Sequence, residues 1–111
     1  MPDPSPSASP LRPSVERLAG RLRALPQRRL QAGAAAEGLA LARWLALRAQ
    51  ELEFPGRQPY EMPDDGVFTV GDQLEVAGND LAAALEADPE KTAHVLAEAL
   101  LRVTVAADAI G

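Results

Sequence analysis

An all-α four-helix bundle, with a long crossover loop between helices two and three and a disordered N-terminal tail, is the fold class this sequence predicts. Three observations lead there. Its hydrophobic residues include 22 Ala and 16 Leu but only eight Val and Ile together, a balance that favours helix over strand. Apolar residues recur at three- and four-residue steps in four stretches. Proline and glycine crowd the segments between and before them. A length of 111 residues fits one domain. The absence of cysteine excludes disulfides, thiolate metal sites, iron–sulfur clusters and cysteine nucleophiles.

Residues 1–13 carry Pro2, Pro4, Pro6, Pro10 and Pro13 among Ser5, Ser7 and Ser9, with almost nothing apolar to offset the cost of ordering, and are expected to form the tail. They lack the basic and apolar regions of a secretory signal. The first helix is predicted over about 14–25, with Ser14 as N-cap and Val15, Leu18, Ala19, Leu22 and Leu25 as its inner stripe. Arg17, Arg21 and Arg23 fall on the other face. Pro26 is expected to break the chain there, because it lacks an N–H and clashes with the preceding turn.

The second helix is predicted over about 27–53. Its broad stripe is Leu30, Ala34, Leu41, Trp44, Leu45 and Leu52, widened by Leu39, Ala42, Ala46 and Ala49, which implies more than one neighbour. Gly33 and Gly38 with Ala34, Ala35 and Ala36 make a flat patch inside that helix, suited to close approach of another backbone. The expectation is a homodimer that self-associates through Gly33, Ala34 and Gly38. The stretch Ala32–Leu47 is interrupted by Glu37 and Arg43 and is shorter than the roughly 20 apolar residues that span a bilayer. No membrane contact is expected, and the predicted location is cytoplasmic.

Residues 54–67 contain Pro55, Pro59, Pro63, Gly56 and Gly66. Fourteen extended residues reach roughly 45 Å, whereas a 17-residue helix is about 26 Å long, so this loop can cross the whole bundle and leave its flanking helices parallel. Tyr60 and Met62 are expected to pin it, with Phe54 and Phe68 plugging the ends of the core. Thr69-Val70-Gly71-Asp72 fits a hydroxyl-to-acid capping pattern before a third helix over about 70–87. Asp88-Pro89-Glu90 supplies an N-cap, a first-turn proline and an acid for a fourth helix over about 89–109. The expected inner line of that helix is Ala93, Leu96, Leu100, Val103, Ala107 and Ile110.

Charge divides the chain. Residues 1–50 hold eight basic and three acidic side chains, and residues 51–111 hold three basic and thirteen acidic ones. Arginine outnumbers lysine ten to one, as a GC-rich bacterial genome produces, so each Arg is first a matter of composition. The leading explanation of the asymmetry is that oppositely charged helices pack side by side. The next is that Arg17, Arg21, Arg23, Arg28 and Arg29, with Tyr60 on the loop, dock a protein partner with an acidic surface. Nucleic-acid binding through the basic residues 12–29 ranks below both, since the net charge is -5 and the arginines do not alternate with aromatic rings.

Catalytic chemistry finds little footing. His94 is the one histidine, flanked by Glu90 and Glu98 along one helical stripe, and three ligands spread over two turns do not converge on a metal. Serines cluster in the tail, away from it. Asp64-Asp65-Gly66 lacks the remaining ligands of a calcium loop, and no Gly-rich phosphate cradle occurs. No metal, cofactor or catalytic residue is expected. The function these readings favour is a small non-enzymatic regulatory or adaptor module acting through protein–protein contacts and self-associating. The alternatives are the nucleic-acid-binding regulator and a small-ligand or carboxylate site between helices three and four.

Overall fold

The computed structural model describes residues 10–111. In chain order these form α1 (Leu11–Ala24), α2 (Gln27–Arg29), a π-type segment (Leu30–Ala34), α3 (Ala35–Glu53), α4 (Val70–Ala87) and α5 (Ala93–Ile110). The three elements from Gln27 to Glu53 continue one another, so four rods make the all-α bundle, with no strand among the described residues.

The tail expected over 1–13 lies outside the described residues as far as residue 9; beyond that the chain is already ordered. Leu11 is wholly buried in the core, and Pro13 sits in the first turn of α1, where a missing N–H leaves no helical bond unmade. Ser14 is therefore not the N-cap; its N–H donates to the Pro10 carbonyl at 3.2 Å. Leu25 and Pro26 are both extended, which makes the break predicted at Pro26. Within the second rod, Gly33 adopts φ 140°, so it bends the helix and is not part of a regular one.

The third rod keeps its predicted span, but its start differs in detail. Thr69 Oγ1 donates to the Gly66 carbonyl at 2.8 Å, closing the end of the loop, and no side-chain cap forms. The last helix starts later than expected. Asp88 Oδ1 accepts the Lys91 N–H at 3.3 Å, capping one isolated turn, and α5 begins only at Ala93. Buried Thr92 occupies the junction, its hydroxyl within reach of the Leu85 and Asp88 carbonyls at 3.1 and 2.7 Å. The Thr92 N–H also donates to the Asp88 carbonyl, at 3.2 Å, so backbone and side chain together tie the junction.

The rods form a ring in which α1 and α3 each lie between α4 and α5. Helix α4 makes the closest contacts, and glycines permit them: a Cβ at Gly78 would lie 2.5 Å from Val15 Cγ1, and one at Gly38 would lie 2.8 Å from Val70 Cγ1. Ion pairs from Arg12 to Glu86 and from Arg23 to Asp72 set α1 antiparallel to α4. Gly38 beside Val70, and Asp80 sharing a cleft with Ala46 and Ala49, set α3 and α4 in the same direction. The loop retraces α3 on the way. Gln50 exchanges two hydrogen bonds with the Tyr60 backbone, at 2.8 and 2.7 Å. Further on, Arg43 Nε donates to the Met62 carbonyl at 2.8 Å and Gln73 to that of Pro63 at 2.9 Å.

Candidate functional site

Two surfaces compete for attention, the arginines of the first half and an apolar strip centred on Trp44. Most of the arginines are engaged within the chain. Arg12 meets Glu86 at 3.0 Å and Asn79 at 3.3 Å. Arg23 bonds Asp72 at 2.7 Å and Glu75 at 3.2 Å. The hydrogen bond to Glu86 raises the Arg12 pKa above the ordinary arginine value against the opposing effect of desolvation. The bond to Asp72 does the same for Arg23.

Arg21 and Arg29 serve a different end. Arg21 donates to the carbonyls of Ala107 and Gly111, and Arg29 to that of Ile110 at 3.0 Å. Both thus cap the last turn of α5, where unpaired carbonyls and the helix dipole favour a cation. Among the described residues Arg17 reaches Ser14 Oγ at 3.4 Å, and Arg28 is exposed on α2. The five arginines therefore do not form one open basic face.

The apolar strip has three contributors. On α3, Trp44 is half-buried and Leu47, one turn on, is exposed. On α5, Leu101 is 63% and Val105 59% exposed. The loop adds Tyr60 at 70%, held out by the backbone bonds to Gln50. Trp44 joins them, because it lines both a groove of ≈ 350 Å³ with Leu101 and Val105 and a cleft of ≈ 340 Å³ with Leu47, Pro59 and Tyr60. The Arg102 guanidinium lies 4.5 Å from the Trp44 ring centroid, a cation–π contact that fixes the indole face. Arg102 also pairs with Glu98 at 3.3 Å, and Arg43 with Glu61 at 3.5 Å.

Of the residues predicted for a site, Tyr60 lies on this strip, and the arginines do not. Ala34 and Gly38 are buried within the chain, and at Gly38 the close neighbours are Leu22 of α1 and Val70 of α4. Leu47, Leu101 and Val105 were missed. The signal was present, since Leu101 and Val105 are four apart and Leu47 follows Trp44 by three, but neither pair discloses which other element its face lies beside. Phe54 and Phe68, expected as core plugs, are exposed, and Phe54 stacks instead beneath Arg57 at 4.8 Å.

Four carboxylates of α4 and α5 are held in ion pairs. Asp72, Glu75 and Glu86 turn to arginines of α1, and Glu98 turns to Arg102. His94 is exposed, and among the described residues no group of three metal-ligating side chains converges. None of the described helices is long and apolar enough to cross a membrane. No family model, curated protein or solved structure matches this chain.

Proposed function

We propose that the chain is a non-enzymatic regulatory or adaptor module that works through protein–protein contacts, with the strip around Trp44 as its contact face. The observation that carries this is the exposure of Leu101, Val105 and Tyr60 on one continuous surface with Trp44. A contiguous apolar patch rimmed by charge is the ordinary mark of an interaction site on a soluble chain. A face of this kind suits a partner recognised by shape and apolar area more than by charge, since two of its cations are already paired with acids of the same chain. The arginines weigh less in this reading, because Arg21, Arg23 and Arg29 hold the fold together.

The test is site-specific photo-cross-linking in the native cell, with a benzophenone side chain placed at Ala40 or Tyr60 on the strip and at Ala83 on exposed α4 as control. Defined protein adducts from the strip positions and none from Ala83 are expected. Equal yields at all three positions, or none at the strip, would refute the assignment.

A further inference from the structure

We propose that Asp65 and Gly66 form a site of spontaneous backbone isomerisation, with Asp64 as its base and an isoaspartyl linkage in the crossover loop as its product. The sequence narrows the choice first. A side-chain carboxyl closes a five-membered succinimide on the nitrogen of the next residue, so that nitrogen must carry a proton, be unhindered and lie outside a helical ladder. Asp3 and Asp88 precede proline, which has no N–H. Asp72, Asn79 and Asp80 lie within α4, and Asp108 lies within α5. Asp64 precedes Asp65, whose Cβ crowds the nitrogen. Asp65 alone among the Asp and Asn residues precedes glycine.

The fold then supplies the geometry. Asp65 and Gly66 are both exposed, in a stretch without helix or strand, and nothing lies within 4 Å of a would-be Gly66 Cβ. Gly66 has φ 99°, a conformation that L side chains rarely adopt, so the turn into α4 itself demands the residue that leaves Asp65 reactive. The Gly66 N–H donates to Asp64 Oδ1 at 3.0 Å. The proton that must leave before the nitrogen can attack is thus already on a carboxylate, within the reach a general base requires.

Water is the one co-reactant. The Gly66 nitrogen attacks Cγ of the Asp65 carboxyl in its acid form and passes its proton to Asp64. The N–Cγ bond forms, the Cγ–OH bond breaks, and Asp64 returns the proton to the departing hydroxyl, which leaves as water. Addition of water at the main-chain carbonyl of the ring then reopens it, with the backbone running through Cβ and Cγ and a free carboxylate on Cα. Nothing is oxidised or reduced, and the product has the mass of the starting chain with one more methylene in the backbone. The lengthened span is pinned at both ends. Gln73 donates to the Pro63 carbonyl at 2.9 Å, and the Thr69 N–H and hydroxyl donate to that of Gly66 at 3.3 and 2.8 Å, so the extra carbon has to be absorbed between Pro63 and Gly66.

The folded full chain, held for weeks at physiological pH and temperature, tests this when isoaspartate is read by methyltransferase labelling and located by electron-transfer fragmentation. IsoAsp is expected at position 65 alone, preceded by a species lighter by one water. Asp65→Glu keeps the charge but enlarges the ring that must close, and is expected to abolish the product. Asp64→Asn still accepts the Gly66 N–H but cannot take its proton, and is expected to slow the product by about tenfold, less than the roughly hundredfold of a sheltered base because water competes at an exposed site. In urea the bond from Gly66 to Asp64 is gone, and there Asp64→Asn and wild type are expected to isomerise at equal rates, which ties the slowing to the fold and not to the neighbouring sequence. No isoAsp at position 65 in wild type, undiminished product in Asp65→Glu, a folded Asp64→Asn as fast as wild type, or the same slowing in urea would each overturn the proposal.

Discussion

A single added methyl group acts in opposite directions at three glycines. Gly20 is exposed within α1 with nothing within 4 Å of a would-be Cβ, so Gly20→Ala only removes unfolded-chain freedom and is expected to stabilise by about 0.5–1 kcal/mol. Gly33 has equal room but φ 140°, a conformation an L side chain rarely adopts, and Gly33→Ala is expected to cost about 1–3 kcal/mol. At Gly78 the backbone is ordinary and the space is missing: three Val15 atoms lie within 2.9 Å. Gly78→Ala is expected to cost about 1–3 kcal/mol by overpacking. Combining it with Val15→Ala, which removes the two nearest of those atoms, should cost less than the sum of the two single changes. Urea titrations of the five variants read all of this, and a Gly33→Ala protein as stable as wild type would remove the bend from the account.

Among the elements, α5 shows how ends are held. Arg21 and Arg29 reach its last carbonyls from other rods, so Arg29→Met is expected to destabilise by about 0.5–1 kcal/mol. Amide exchange should quicken selectively over residues 105–110, and uniform quickening along the chain would count against a capping role. Between α1 and α4, Arg12→Met is expected to cost up to about 1 kcal/mol, an exposed-pair magnitude that shrinks as salt is added. Its pH dependence follows from the raised pKa of Arg12. A cation stabilised in the folded state contributes fully below its unfolded pKa and loses that contribution only as pH rises through the higher folded value. From the guanidinium side the penalty should therefore stay constant between about pH 6 and about pH 9, which thermal melts across that range will check.

The same elements mark what the residues disclosed. The spans of α3 and α4 and the break at Pro26 were legible because helical periodicity, proline chemistry and loop length are local or nearly local signals. Pairing of basic with acidic helices was legible as charge asymmetry, and Arg23 with Asp72 is the concrete case. Side-chain roles at helix starts were less so: Ser14 and Thr69 have capping chemistry, but the actual bonds depend on where the preceding residues lie. Least legible was the strip. The expected inner line of the last helix placed Val103 and Ile110 inward and left Leu101 out, as α5 has them, though it also counted Ala93, which is exposed; what no single helix discloses is that α3 and the loop bring Trp44, Leu47 and Tyr60 beside it.

For the molecule as a whole, stability and association are one equilibrium if the chain self-associates as its sequence predicts. The melting temperature is then expected to rise with protein concentration between about 1 and about 100 μM, by mass action on the folded dimer. A temperature independent of concentration marks a free-standing bundle. The interior offers reason to expect the dependence, since its buried side chains are chiefly Ala, Leu and Val, and small domains with small side chains bury modest area per residue.

The position of α4, threaded between α1 and α3 although it follows both in the chain, means that the molecule is separable into two interlocking pieces. A cut in the exposed stretch near Asp65 leaves one segment, α1 with α3, lacking both rods that lie between them, and another, α4 with α5, whose two rods have little of each other to lie against. Neither is complete, yet each supplies what the other lacks. Expressed apart they should be unstructured, and mixed they should reassemble, which makes this small bundle a natural split reporter.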